Sequence, residues 1–240
     1  MRSAAALLAV AATLLAPAEA GAVPHFTRCG AYLFGCTRVS VPLDRSGATP
    51  GHVSLFVKRI RAQKRPRQGA LLVLAGGPGQ SATEAFEGDG IGVLAPAFRH
   101  RDLIVFDQRG TGRSGLLRCR ALERSNLFDA GRAAGQCARR LGARRFHYTS
   151  RDSVEDIEAL RVALDLDKIA IYGTSYGVKV ALGYALTYPA KVERLVLDSV
   201  LEVDGPDPLY RPTLEAIPRI VTALHAAGYE CVTMHDLFAV

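Results

Sequence analysis

Three times in this sequence a short, unbroken apolar run stops at a turn rich in glycine. Ala70-Leu71-Leu72-Val73-Leu74 leads into Gly76-Gly77-Pro78-Gly79. Leu103-Ile104-Val105-Phe106 leads into Asp107-Gln108-Arg109-Gly110, and Ile169-Ala170-Ile171-Tyr172 leads into Gly173-Thr174-Ser175-Tyr176-Gly177. Leu195-Val196-Leu197 is a fourth run of the same kind. Strands without polar alternation have no face to give to water, so they belong in a parallel sheet sheathed by helices. The segments between them supply such helices. Val154, Ile157, Leu160 and Leu164 recur at helical spacing, which predicts a helix over 153–166 capped by Asp152 or Ser153. A second helix is predicted over 175–188, where Val178, Leu182, Ala185 and Leu186 share a face and Pro189 stops the chain. Residues 81–99 are mixed and contain glycine, so one regular helix there is weakly supported. Ahead of all this, 37–43 and 52–60 alternate apolar and polar residues, as half-exposed antiparallel strands do. The expected fold class is α/β: an open, mostly parallel sheet with helices on both faces.

The first residues read as an address. Met1-Arg2 is a short positive start, 4–16 is apolar, and Pro17-Ala18-Glu19-Ala20 ends in small residues. This is the pattern of a secretory signal peptide over 1–20, too short for a membrane span. Export to a secreted, extracellular location is therefore expected, and disulfides become permissible. Cys29 with Cys36, and Cys119 with Cys137, are plausible local bridges, which leaves Cys231 over. The net charge is 30 − 23 = +7. Its arginines read as scattered, and the densest basic group, from Lys58 to Arg67, reads as a solvated loop without interleaved aromatics. Nucleic acid is set aside as a partner on that ground.

The chemistry gathers at the strand-to-helix turns. In Gly173-Thr174-Ser175-Tyr176-Gly177 a buried strand ends and a helix begins at once, which forces the central residue into a strained conformation and lifts its hydroxyl above the sheet. Ser175 is the candidate nucleophile. A serine attacking a carbonyl needs donors for the oxyanion that develops. The N–H groups of Gly77, in the side-chain-free Gly-Gly-Pro-Gly loop, and of Tyr176 are the candidates. In Asp107-Gln108-Arg109-Gly110-Thr111-Gly112-Arg113-Ser114, Asp and Arg are expected to pair and brace the neighbouring loop rather than to catalyse. Neither a phosphate-binding loop nor zinc-ligand spacing is present, and no metal or cofactor is implied.

These three motifs, in this order and at these separations, resemble the α/β-hydrolase family of prolyl aminopeptidases and secreted tripeptidyl aminopeptidases. The similarity runs from about Cys36 to Asp204. It implies a cofactor-free Ser–Asp–His peptidase acting on peptide N-termini, with a helical cap inserted after the Leu195–Leu197 strand. Ala75 departs from the family, many members of which carry His or Asn before the glycines. On this reading 21–205 is the N-terminal part of the hydrolase core, and 206–240 is the beginning of a cap or a divergent tail. The fold places the triad acid and base after the serine, yet only 240 − 175 = 65 residues follow it. A βαβ unit alone takes about 30 residues. The expectation is a chain lacking the C-terminal strands, most of the cap, the acid and the base, with negligible arylamidase activity. His225 reads as a helix surface residue, while Asp198 and His235 are weak substitutes for acid and base. The substrate expected is a peptide or a small ester; an esterase and a non-catalytic remnant are the alternatives.

Overall fold

The computed structural model describes residues 23–30, 33–126, 128–200 and 220–230. The proposed signal peptide and His235 lie outside them. Seven strands form one sheet: β1 (Thr27–Arg28), β2 (Gly35–Pro42), β3 (His52–Ile60), β4 (Ala70–Leu74), β5 (Asp102–Phe106), β6 (Ile169–Thr174) and β7 (Val192–Asp198). Their spatial order is β1-β2-β3-β5-β4-β6-β7. The contacts β1–β2, β2–β3 and β3–β5 are antiparallel, whereas β4, β5, β6 and β7 run parallel to one another. The two alternating segments thus form the antiparallel end, and the continuous apolar runs form the parallel part.

This order fixes where a site can lie. From β4 the chain crosses to β5 on one side, then crosses back over β4 to β6 on the other. Right-handed crossovers in opposite directions must cover opposite faces. The first crossover carries the short helix α1 (Ala82–Ala85) and two 3₁₀ turns, Gly88–Leu94 and Ala97–Arg99. Its Ala82, Phe86, Ile91 and Leu94 cover one face, above Leu71 and Val73 of β4. Helix α4 (Ser150–Ala163) covers the other face together with α5 (Tyr176–Thr187), which follows β6; Leu72 and Leu74 of β4 point into that layer. Every residue of β4 is buried. Burial of each such side chain contributes about 1.5–3 kcal/mol, so β4 anchors both layers. The direction change leaves a crevice beyond the carboxyl ends of β4 and β6, the place where open α/β sheets bind ligands.

Several expectations change in detail. Helix α4 begins earlier than its apolar spacing suggests, because Thr149 and Asp152 form a reciprocal capping box. Residues 81–99 form no single helix. Strand β7 is only partly buried: it is the outermost strand among the described residues, so its face away from α5 has little cover. Lys58 is not solvated: it is 5% exposed on β3. Beyond β5 lie α2 (Arg120–Glu123) and α3 (Ala130–Leu141), an arginine-rich stretch that carries little apolar signal. The cysteine pairs are joined as expected, Cys29 to Cys36 and Cys119 to Cys137. Among the described residues a last helix occupies 220–226 and sets Leu224 against Val178 and Leu182 of α5. No helix among the described residues is long and apolar enough to cross a membrane.

Candidate active site

Ser175 sits between the end of β6 and the start of α5 with φ 52° and ψ −121°. An L-residue with positive φ is strained by about 1–3 kcal/mol, and such strain persists only where the surroundings enforce it. Here they do. The Ser175 N–H donates to the carbonyl of Asp198 on β7 at 2.9 Å, which pins the turn to the adjacent strand. A Cβ on Gly173 would lie 2.7 Å from the Gly177 carbonyl, and one on Gly177 would lie 2.6 Å from the Leu74 carbonyl. The helix therefore starts closer to β4 than any side chain permits. Both glycines of the motif are required by packing.

The Gly-Gly-Pro-Gly loop meets the serine directly. A Cβ on Gly76 would fall 3.0 Å from Ser175 Cβ and 3.4 Å from its Oγ. Gly77 has φ 106°, and a Cβ there would meet the Gly79 amide nitrogen at 2.7 Å, so only glycine fits that turn. The Gly76 N–H donates to Gln80 Oε1 at 3.2 Å and closes the loop on itself. Tyr176 is the first residue of α5, where an N–H has no acceptor one turn earlier and the helix dipole favours negative charge. Gly76 thus brings the loop carrying Gly77 into contact with Ser175, and Tyr176 adjoins the serine in the chain.

Two buried polar groups hold this loop from behind. Asp107, fully buried at the end of β5, accepts through Oδ1 from Ser81 Oγ and the Thr83 amide, both at 2.9 Å. Its Oδ2 accepts from Thr83 Oγ1 at 3.0 Å and from the Arg113 amide at 2.8 Å. Lys58 Nζ donates to the Thr83 carbonyl at 3.0 Å and pairs with Glu87 at 2.8 Å. Sequence reading missed Lys58, because a lysine heading a basic run carries no local sign of burial. The expected Asp107–Arg109 pair does not form. Arg109 instead meets Asp156 of α4 at 2.6 and 2.7 Å, and donates to the Leu43 and His147 carbonyls. Asp156 is fully buried and also accepts from Arg45 at 2.7 Å. This network braces the antiparallel end against α4. The start of α4 reaches the elbow, where Ser150 Oγ and Tyr176 OH are 2.8 Å apart.

Asp198 serves the elbow through its backbone. Its carboxylate accepts from Tyr172 OH at 2.7 Å and from Ser199 Oγ at 3.1 Å. Burial, with that carboxylate beside it, pushes the Tyr172 hydroxyl up to about 12. Among the described residues no histidine is hydrogen bonded to Ser175. His147 Nε2 faces Thr49 Oγ1 at 3.0 Å, His100 Nδ1 faces the Pro66 carbonyl at 3.3 Å, and His225 is exposed on the 220–226 helix.

Residues 69–222 match the family model of the alpha/beta hydrolase fold. The chain is 29% identical over 202 residues to a tripeptidyl aminopeptidase of Streptomyces lividans, covering 75% of this chain and 38% of that protein. It is 27% identical over 194 residues to serine protease Hip1 of Mycobacterium tuberculosis, covering 72% and 37% respectively. Over 104 residues it is 42% identical to a carboxylesterase B of Mycobacterium tuberculosis, covering 40% of this chain and 18% of that one. The chain thus spans less than two fifths of the length of these relatives.

Proposed function

Because the chain belongs to the α/β-hydrolase fold family, we propose that Ser175 is the nucleophile of a serine hydrolase, with the Gly77 and Tyr176 amides as its oxyanion donors. The observation that carries this is the enforced positive φ of Ser175 at the head of α5, with Gly76 packed on its side chain. In the reaction Ser175 Oγ attacks a carbonyl carbon and a base takes the hydroxyl proton. The carbonyl oxygen gains the charge, and the two amides receive it. Loss of one such donor typically costs about 3–4 kcal/mol of transition-state stabilisation. Among the described residues no histidine is hydrogen bonded to Ser175 to act as that base. Without it such sites lose on the order of 10⁶ in turnover.

The substrate class we propose is a peptide cleaved from its N-terminus, in line with the name of the tripeptidyl aminopeptidase relative; the serine protease relative supports peptide cleavage more generally. A small ester is the second reading, favoured by the 42% identity to a carboxylesterase B. Export through residues 1–20, and a core over 21–205 followed by a distinct segment over 206–240, belong to the same proposal.

Fluorophosphonate labelling of the 240-residue chain, read by mass spectrometry with and without added imidazole as an external base, tests the nucleophile. An adduct on Ser175, lost in Ser175→Ala, is expected, with imidazole raising its yield. Labelling without imidazole would place the base within this chain. A folded chain unlabelled in both conditions, or labelled only at other serines, removes the assignment. Comparing free and blocked peptide arylamides with small esters then separates the two substrate readings.

A further inference from the structure

The basic charge is not scattered. Residues 115–149, the excursion between β5 and α4, contain eight arginines against Glu123 and Asp129, a net of 8 − 2 = +6. The whole chain carries +7, so the remainder is nearly neutral. Arg132 pairs with Asp129, and Arg145 stacks on Phe146 at 4.2 Å. The other six, Arg118, Arg120, Arg124, Arg139, Arg140 and Arg144, are exposed and have no acidic partner among the described residues.

The same excursion carries the largest exposed apolar side chains of the described residues. Phe128 is 99% exposed and Phe146 63%, and Leu116, Leu117 and Leu122 of the same segment are exposed as well. The disulfide from Cys119 to Cys137 ties α2 to α3. Beside it lies an open cavity of about 140 Å³, walled by Leu116, Leu117 and Leu141 and flanked by Arg118 and Arg140. Exposed apolar side chains gathered in one segment, beside an open cavity, mark an interaction surface. Guanidinium groups interleaved with Leu and Phe suit a partner that is anionic at its surface and apolar beneath.

We propose that residues 115–149 form a docking surface for an anionic lipid bilayer. The arginines would sit among the phosphates, while the leucines and phenylalanines enter the acyl boundary. Nucleic acid has the charge but not the apolar layer: exposed Leu116, Leu117 and Leu122 gain nothing against a phosphate backbone. The excursion leaves the carboxyl end of β5 and returns to α4 beside Tyr176. Docking would therefore hold the Ser175 edge of the sheet toward the bilayer. The surface stands on charge and exposure alone and is independent of the reading of Ser175.

Co-sedimentation of the 240-residue chain with vesicles tests the proposal. It should bind phosphatidylcholine vesicles containing phosphatidylglycerol and pass over those of phosphatidylcholine alone. Each arginine near such a surface changes affinity about fivefold, so Arg120→Gln, Arg139→Gln and Arg144→Gln together should weaken binding on the order of a hundredfold. Raising salt from about 0.1 M to about 1 M, which shortens the screening length from about 10 to about 3 Å, should weaken it likewise. Phe128→Ser with Phe146→Ser should lower the binding that survives high salt. All five side chains are exposed, and an unchanged circular dichroism spectrum verifies that the variants fold. Equal binding to neutral vesicles, indifference to the arginine changes, or tighter binding to single-stranded DNA than to the anionic vesicles would overturn the proposal.

Discussion

Three glycines in helices make a controlled experiment on the elbow. Gly177, in the first turn of α5, would place a Cβ 2.6 Å from the Leu74 carbonyl and 2.9 Å from that of Ala75. Both obstacles are backbone, one at the end of β4 and one just beyond it, so neither can rotate away. Relief requires α5 to move several tenths of an ångström off β4, and overpacking of that kind costs typically 1–3 kcal/mol. The unyielding backbone puts Gly177→Ala at the upper end, about 3 kcal/mol. The gain in helix propensity from Gly to Ala returns at most about 1 kcal/mol, for a net loss of about 2 kcal/mol. At this chain length that lowers the melting temperature by about 4–8 °C. Gly183, in the same helix, would meet only Val154 Cγ2 at 3.1 Å, a methyl that can shift, so Gly183→Ala should be near neutral. Gly135, in α3, has only the end of the Arg139 side chain nearby, at 3.6 Å, and Gly135→Ala should stabilise by about 1 kcal/mol. Thermal melts followed at 222 nm rank the three. If Gly177→Ala melts within a degree of the parent chain, the claim that the helix is jammed against β4 is wrong.

Ser175→Gly should stabilise the fold by about 1 kcal/mol by relieving positive φ, while Ser175→Ala, which keeps its Cβ and the strain, should not; urea denaturation midpoints decide, and equal midpoints would mean the turn stores no strain. Asp44 gives the pH dependence. The Ser46 hydroxyl, then the Thr49 and Ser46 amides, donate to its carboxylate and lower its pKa to about 2. A carboxylate held below its unfolded value contributes stability above about pH 4, and that contribution fades as pH falls through about 2. Urea midpoints should therefore fall with acid over that range, less steeply in Asp44→Asn; parallel curves would refute the link.

What could be read from the sequence was local. The apolar runs of β4, β5 and β6 announce burial because no side chain in them tolerates water, and the glycines around Ser175 announce close packing. The paired cysteines are near in sequence, so their closure needs little from the rest of the fold. What escaped depends on partners far along the chain. Arg109 and Asp107 are neighbours in a turn, yet Asp156, 47 positions away, claims the arginine because α4 lies across the antiparallel end. Lys58 looked solvated until the Thr83 carbonyl and Glu87 closed over it. The grouping of charge in 115–149 was countable but was hidden by a run-based reading, since its arginines are spaced along the segment.

The elements that set Ser175 are few and mutually dependent. β7 supplies one carbonyl to its amide, β4 supplies the backbone against which Gly177 is pressed, and the loop after β4 supplies Gly76 against its side chain. All lie between Ala70 and Asp198. Among the described residues, the contacts that set the Ser175 turn therefore come from β4, its following loop and β7. On the proposed reading, this corner fixes only where a carbonyl carbon would come, not which carbonyl it is. Substitutions in 70–198 that leave Gly76, Gly177 and the Asp198 contact intact should then change stability, with little effect on which class of carbonyl the proposed nucleophile Ser175 attacks.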